Sequence, residues 1–143
     1  MRSIVAFSLI AIALIIGCQN ETEPQPLNPN GDSELALLMR QMFEEGELAK
    51  QAIIHGKKYK TILKHEKILT AEATDQDKVE NERFENFAKE YLEAMAQMND
   101  ANHPNKMEAY SNLISSCVQC HEVVCPGPLV KINKLILEEE TEL

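Results

Sequence analysis

Apolar side chains recur at helical spacing along most of the chain after residue 32. The first stretch can be capped by Asp32 or Ser33 and ends near His55 and Gly56, where a glycine suits a helix C-terminus. Within it the apolar positions repeat at intervals of three, four and seven residues: Leu35, Leu38, Met39, Met42, Ala49 and Ile53. This periodicity predicts a first amphipathic helix.

The same criterion predicts further helices along the rest of the chain. Residues 58–69 predict a weaker second helix, and residues 70–81 are polar enough for a loop. The third helix, which ends before the turn residues 99–105, is marked by Phe84, Phe87, Ala88, Tyr91, Met95 and Met98. The fourth is predicted to have Pro104 in its first turn and has on one side Met107, Tyr110, Leu113, Ile114, Cys117, Cys120, His121 and Val124. Residues 125–128, Cys-Pro-Gly-Pro, must break it.

A short last helix is predicted over residues 129–137, with Leu129, Ile132 and Ile136 facing inward and Leu135 as a further candidate. No segment shows the strict alternation of a half-buried strand, and the sequence has only five glycines. The prediction is therefore an all-α fold whose helices pack as a bundle. A formal charge of −9 does not suit a nucleic-acid partner.

The N-terminal segment has a different pattern. Arg2 precedes an apolar run from Ile4 to Ile16, which is too short to span a bilayer comfortably but suits an export signal. Its end, Leu-Ile-Ile-Gly-Cys at residues 14–18, resembles the lipobox of bacterial lipoproteins, in which the chain is cut before a cysteine that is then lipidated. An ordinary cleaved signal is the alternative. The prediction is a signal peptide over 1–17, lipidation at Cys18, a flexible tether over 18–32 and a helical domain over 33–143.

Residues 117–121, Cys-Val-Gln-Cys-His, form a C-x-x-C-H pentapeptide within the predicted fourth helix. Two thiols at this spacing can add to the two vinyl groups of a haem, and the adjacent imidazole can bind its iron. The motif predicts one covalent haem c, with thioether bonds to Cys117 and Cys120 and with His121 as an axial ligand. A disulfide or thiol pair is the alternative, although a thioredoxin-like motif would be accompanied by a βαβ pattern. Export supports the haem prediction, because this attachment takes place outside the bacterial cytoplasm.

The pentapeptide and the helix order from about residue 33 to residue 124 resemble the class II cytochromes c, the cytochrome c′ group. The resemblance implies an up-down four-helix bundle with haem near the end of the last main helix. In that family the first helix supplies the residue that faces the open side of the iron. Methionine there gives six-coordinate low-spin iron, and an apolar residue gives five-coordinate iron that can bind a gas.

Residues 38–42, Leu-Met-Arg-Gln-Met, are similar to the methionine-bearing first helix of the low-spin members. Met39 is the preferred sixth ligand, because an apolar residue precedes it and a basic residue follows it. Met42 is the alternative ligand, and both methionines could instead be core residues. The other histidines, His55, His65 and His103, are expected at the surface or at helix ends.

The resemblance implies electron transfer with redox partner proteins, and no substrate chemistry. Motifs of hydrolases, zinc proteases and phosphate loops are absent from the sequence, so an enzyme is not expected. The domain would be anchored through Cys18 to a bacterial membrane, facing the periplasm or the cell surface. The outer membrane is favoured, because no aspartate follows that cysteine. A homodimer is possible in this family. The alternatives are a five-coordinate haem protein that binds nitric oxide or carbon monoxide, and a lipoprotein without haem.

Overall fold

A computed structural model describes residues 31–137. Within that range the chain forms four α-helices and no strand: α1 (Glu34–Ile54), α2 (Glu82–Asn99), α3 (Lys106–Val124) and α4 (Leu129–Ile132). Three short 3-10 turns lie at His65–Leu69, Gln76–Lys78 and Asn133–Leu135. The prediction of an all-α fold is confirmed.

Each long helix begins at a polar side chain that caps its first turn. Ser33 Oγ accepts a hydrogen bond from the Ala36 backbone N–H at 3.2 Å, as the sequence predicts. The side chains of Asn81 and Asn105 do the same for α2 and α3. At the other end of α1, Gly56 has φ +62°, a left-handed conformation that glycine adopts readily.

The core lies between the three long helices. α2 and α3 form the most extensive pair, and α1 packs against α3. Tyr110 and Met98 are the largest side chains that are fully buried. The remaining core residues are mostly those of the predicted apolar stripes, namely Leu35, Leu38, Ala49, Phe84, Ala88, Tyr91, Met95, Leu113 and Ile114.

The predicted second helix is wrong. Residues 57–64 have no helical structure, and only the turn His65–Leu69 lies within the predicted range of 58–69. A helix there would need a continuous apolar face, but Ile62 is 95% exposed. The segment instead bonds to α1, since the Thr61 hydroxyl and the Ile62 N–H both donate to the Glu45 carboxylate. The all-α class is therefore observed without the four-helix bundle being confirmed.

The chain after α3 reverses at residues 125–128 and packs on the other helices, as the proline and glycine residues predict. Leu135 is buried against Gly46 of α1, so closely that a Cβ at residue 46 would lie 2.9 Å from Leu135 Cδ1. Tyr110 Oη donates to the Leu135 carbonyl at 2.7 Å. Ile132 is buried as predicted, but Ile136 is exposed, because α4 ends early and a tighter 3-10 turn changes which residues face inward.

The predicted signal peptide, the lipidation site Cys18 and most of the predicted tether lie outside the described residues. The last tether residue, Asp32, is described, and its carboxylate receives two hydrogen bonds from Arg40, at 2.5 and 2.6 Å. The compact unit that begins at Asp32 includes every described helix. Among residues 31–137, none of the helices has the length and hydropathy required to span a bilayer.

Candidate haem-attachment site

The three reactive residues of the C-x-x-C-H motif lie in the last two turns of α3. Cys117 and His121 are one turn apart and therefore share a face of the helix. His121 is buried, with 7% exposure, while Cys117 and Cys120 are half-buried. The helix ends at Val124 because Pro126 disfavours a helical conformation for the residue before it.

The orientation of His121 is fixed by the chain that follows the helix. Its Nδ1 lies 3.0 Å from the backbone carbonyl oxygen of Cys125, and the Cys125 Sγ lies 3.3 Å from the same nitrogen. A carbonyl oxygen can only accept, so Nδ1 carries the hydrogen and Nε2 keeps its lone pair. Burial also lowers the pKa of His121, although the bond to the carbonyl acts in the opposite direction. A neutral imidazole with a free Nε2 is the form that binds iron, so the residue fits the axial position of a haem.

The motif thiols are held in their protonated form. Burial, together with the neighbouring Cys120, raises the pKa of Cys117 to about 12. Burial, with Cys125 and Glu90 as smaller causes, raises the pKa of Cys120 to about 11. Both residues are near the C-terminal end of α3, where the helix dipole disfavours an anion. Thiols of redox-active C-x-x-C pairs have lowered pKa values, so these properties do not favour the thiol-redox alternative.

The candidate sixth ligands, Met39 and Met42, lie one turn apart on α1. Both are half-buried and pack against the apolar core, and Cys117 of the motif packs against the same core. The fold thus places both methionines and the motif helix around one cluster. Met39 remains the preferred ligand on the sequence pattern, and Met42 remains the alternative.

His65 occupies a buried position that the sequence pattern does not predict. This residue is 4% exposed, and the expectation of a surface or capping position is wrong. Its Nδ1 lies 2.6 Å from Tyr91 Oη, and its Nε2 lies 2.9 Å from Glu45 Oε2. No periodic pattern could indicate this, because the residue lies in a non-helical segment. The available signal was the pair Leu63 and Ile68 on either side, which pack on the core.

Tyr91 brings this buried histidine close to the haem motif. Burial raises the pKa of Tyr91, and the negative charge of Glu45 adds to the rise. Burial and the Glu45 charge also raise the pKa of Tyr59 to about 12. Tyr91 belongs to the buried core against which Cys117 packs, so the polar group around His65 adjoins the core that the motif helix contacts.

The other two histidines are where the sequence predicts them. His55 is the C-cap residue of α1, and its Nδ1 lies 2.7 Å from the Gln51 carbonyl oxygen. His103 lies in the α2–α3 loop, where its Nδ1 accepts from the Asn105 N–H at 3.2 Å. Neither residue is near the motif in sequence.

An open depression of about 420 Å³ lies where the start of α2 meets the end of α3. Its lining includes Lys78, Asn81, Glu82 and Arg83 on one side and Val123 and Val124 on the other. Lys78 is close enough to Cys125 for its charge to oppose the rise that burial causes in the pKa of that thiol. Charged side chains of both signs and apolar surface therefore adjoin the end of the motif helix.

Comparison with protein-family models, curated proteins and solved structures gives no match to this chain. Within residues 31–137 there is no group of three or more His, Cys, Asp or Glu side chains that could hold a metal ion. The function is therefore inferred from the motif residues and their surroundings.

Proposed function

We propose that this protein is a c-type cytochrome that carries one covalent haem and transfers single electrons. The observation that supports this most strongly is the state of His121. It follows two cysteines at the correct spacing, it is buried, and its Nδ1–H is bound to the Cys125 carbonyl so that Nε2 is free. The high pKa values of Cys117 and Cys120 support the same conclusion, because they do not suit a thiol-redox pair.

Each residue of the site has a distinct task in this proposal. Cys117 and Cys120 hold the haem through thioether bonds, and His121 is the axial ligand. The Cys125 carbonyl orients the imidazole and makes its free nitrogen more basic. When bound, the haem iron supplies a one-electron redox couple. Met39, with Met42 as the alternative, is the proposed sixth ligand, which would leave no open site for a substrate.

The surroundings of the site suit a charged cofactor of this kind. Haem propionates are anions, and next to the end of the motif helix Lys78 and Arg83 supply two positive charges against the one negative charge of Glu82. The half-buried cysteines and the apolar core beside Cys117 suit the porphyrin ring. The proposed relation to the class II cytochromes c and their four-helix bundle must accommodate one difference, since residues 57–64 are not helical.

The proposed setting follows from the N-terminal sequence. The domain would be exported, lipidated at Cys18 and anchored to a bacterial membrane, with the outer membrane favoured. Its partners would be redox proteins of the periplasm or the cell surface, and a homodimer is possible. Neither enzymatic activity nor nucleic-acid binding is part of the proposal.

The test is to produce the exported chain in a bacterial host with c-type haem assembly and to record visible spectra and a haem stain after denaturing electrophoresis. The wild type should retain haem on the gel, and the double variant Cys117→Ser/Cys120→Ser should lose it. Cys125→Ser is the matched control, because it removes a thiol but leaves the backbone carbonyl in place. A wild-type chain that carries no covalent haem under these conditions refutes the proposal.

The same spectra test the ligand assignment. The wild type is expected to have low-spin reduced haem whose spectrum does not change when carbon monoxide is added. Met39→Ala is expected to have high-spin haem. If only Met42→Ala changes the spin state, Met42 is the ligand. A wild-type spectrum that is high-spin and shifts with carbon monoxide would instead indicate a five-coordinate gas-binding protein.

A further inference from the structure

A buried polar network connects three parts of the fold next to the haem motif. We name it the Glu45–His65–Tyr91 network after its members in α1, the His65–Leu69 turn and α2. The Thr61 hydroxyl extends it, at 2.5 Å from Glu45 Oε2 and 2.9 Å from His65 Nε2. Burying ionisable groups lowers the stability of a protein unless they are paired. A buried network of this kind in a small core therefore indicates a structural or functional role.

Both ring nitrogens of His65 keep a hydrogen-bond partner in two protonation states. With neutral His65, the Tyr91 hydroxyl donates to Nδ1 and Nε2–H donates to the Glu45 carboxylate. With protonated His65, Nδ1–H donates to the Tyr91 oxygen, and the imidazolium forms an ion pair with Glu45 at the same 2.9 Å distance. The hydroxyl changes from donor to acceptor by rotation. No heavy atom has to move for the proton to be gained or lost.

The groups that face His65 come from every element packed against it. Glu45 approaches from α1, Tyr91 from α2, and Tyr59 from the same non-helical segment, close to Glu45. Tyr91 also belongs to the buried core against which Cys117 of α3 packs. The network is thus linked through one tyrosine to the point where the haem would be attached.

We propose that His65 takes up one proton from solvent when the haem iron is reduced, so that electron transfer at this site is coupled to proton transfer. This inference rests on the proposed function. A haem held by Cys117, Cys120 and His121 would receive one electron from a redox partner protein, and its positive charge would fall by one. The proton forms one N–H bond at His65 and restores that charge nearby. It can enter through Glu45, whose side chain is 15% exposed.

The sign of the effect follows from Coulomb's law. Reduction removes a positive charge, so the protonated imidazole is more stable in the reduced protein than in the oxidised one. The reduction potential should therefore fall as pH rises. One proton per electron corresponds to at most about 59 mV for each tenfold change in proton concentration.

The test is a spectroelectrochemical titration of the haem-loaded protein between pH 5 and pH 8.5. The reduction potential of the wild type is expected to fall as pH rises. In His65→Gln the potential should not change with pH, and in the control His55→Gln it should change as in the wild type. A flat wild-type curve, or an unchanged slope in His65→Gln, overturns the proposal. Since covalent haem is required before any potential can be measured, loss of the proposed function and failure of this inference give different results.

A second variant covers the case in which His65→Gln does not fold. Glu45→Gln keeps a hydrogen-bond acceptor for Nε2–H but removes the negative charge that stabilises the imidazolium. The sloping region should move to lower pH in this variant. If the potential of this variant changes over the same pH range as that of the wild type, the assignment of the proton to His65 is overturned. The haem propionates would then be the groups that take up the proton.

Discussion

Replacing Tyr110 with phenylalanine tests how much a buried hydroxyl contributes to fixing the C-terminal segment, which Lys50 Nζ also binds through the carbonyls of Lys134 and Ile136. Tyr110 is 0% exposed, and its Oη donates to the Leu135 carbonyl at 2.7 Å, with the Gly46 carbonyl at 3.4 Å. The ring of phenylalanine can occupy the same space. The substitution therefore removes the hydrogen bond without opening a large cavity.

The expected loss follows from the burial of both partners. A hydrogen bond of this kind contributes about 0.5–1.5 kcal/mol net, but an acceptor left buried without a partner costs about 1–3 kcal/mol. Because Leu135 is buried as well, we expect Tyr110→Phe to lower the free energy of unfolding by about 1–3 kcal/mol. For a domain of this size, each kcal/mol corresponds to a fall of roughly 4–8 °C in Tm.

Urea denaturation followed by circular dichroism measures this loss. Ser111→Ala is the matched control, because Ser111 is the exposed neighbour on the same helix and should change stability by less than about 0.5 kcal/mol. If the segment detaches before the bundle unfolds, the dependence of stability on urea should also change. A Tyr110→Phe protein as stable as the control, with the same urea dependence, would refute the reasoning.

Three further outcomes are expected. Asn81→Ala should lower the free energy of unfolding by about 1 kcal/mol, because it removes the cap of α2. Asn86→Ala, at an exposed position of the same helix, is the control, and equal melting curves for the two variants would contradict this expectation. Gly56→Ala should cost about 1 kcal/mol in thermal denaturation because φ is +62° there, and an unchanged Tm would count against it. The haem-free chain should lose stability as pH rises above 9, because the thiols of Cys117 and Cys120 ionise when unfolded but stay protonated when folded. Denaturation at pH 8 and pH 10 measures this. A haem-loaded chain should lose less stability, because its two motif thiols no longer ionise, whereas Tyr59, Tyr91 and Tyr110, whose pKa values are also raised, still do.

The long helices could be predicted from sequence because each has a capping residue and a continuous apolar stripe. Ser33 and the residues after it define α1 within a few positions, and the Cys-Pro-Gly-Pro sequence defines the end of α3. The segment from residue 57 to residue 69 could not be predicted in this way. Its apolar residues occur at spacings compatible with a helix, but the decisive interactions are with Glu45, a distant residue in α1.

The candidate site, like the fold, could be predicted from the sequence only in part. The motif itself identifies Cys117, Cys120 and His121, because their chemistry depends on spacing along the chain. The protonation form of His121 depends on the Cys125 carbonyl, a main-chain atom that no side-chain pattern reveals. His65 was assigned to the surface because its burial arises from tertiary contacts alone.

The contact between His121 and the Cys125 carbonyl has a consequence for which substitutions the protein can accept. A main-chain acceptor is present whatever the side chain, so the thiol at residue 125 can be exchanged without losing the bond. The direction of that carbonyl depends on the extended conformation of residue 125, with φ −156° and ψ 87°, and Pro126 favours that conformation by excluding the helical one. The identity of residue 126 should therefore be more restricted than that of residue 125, although the proline contacts the imidazole only through its neighbour's backbone.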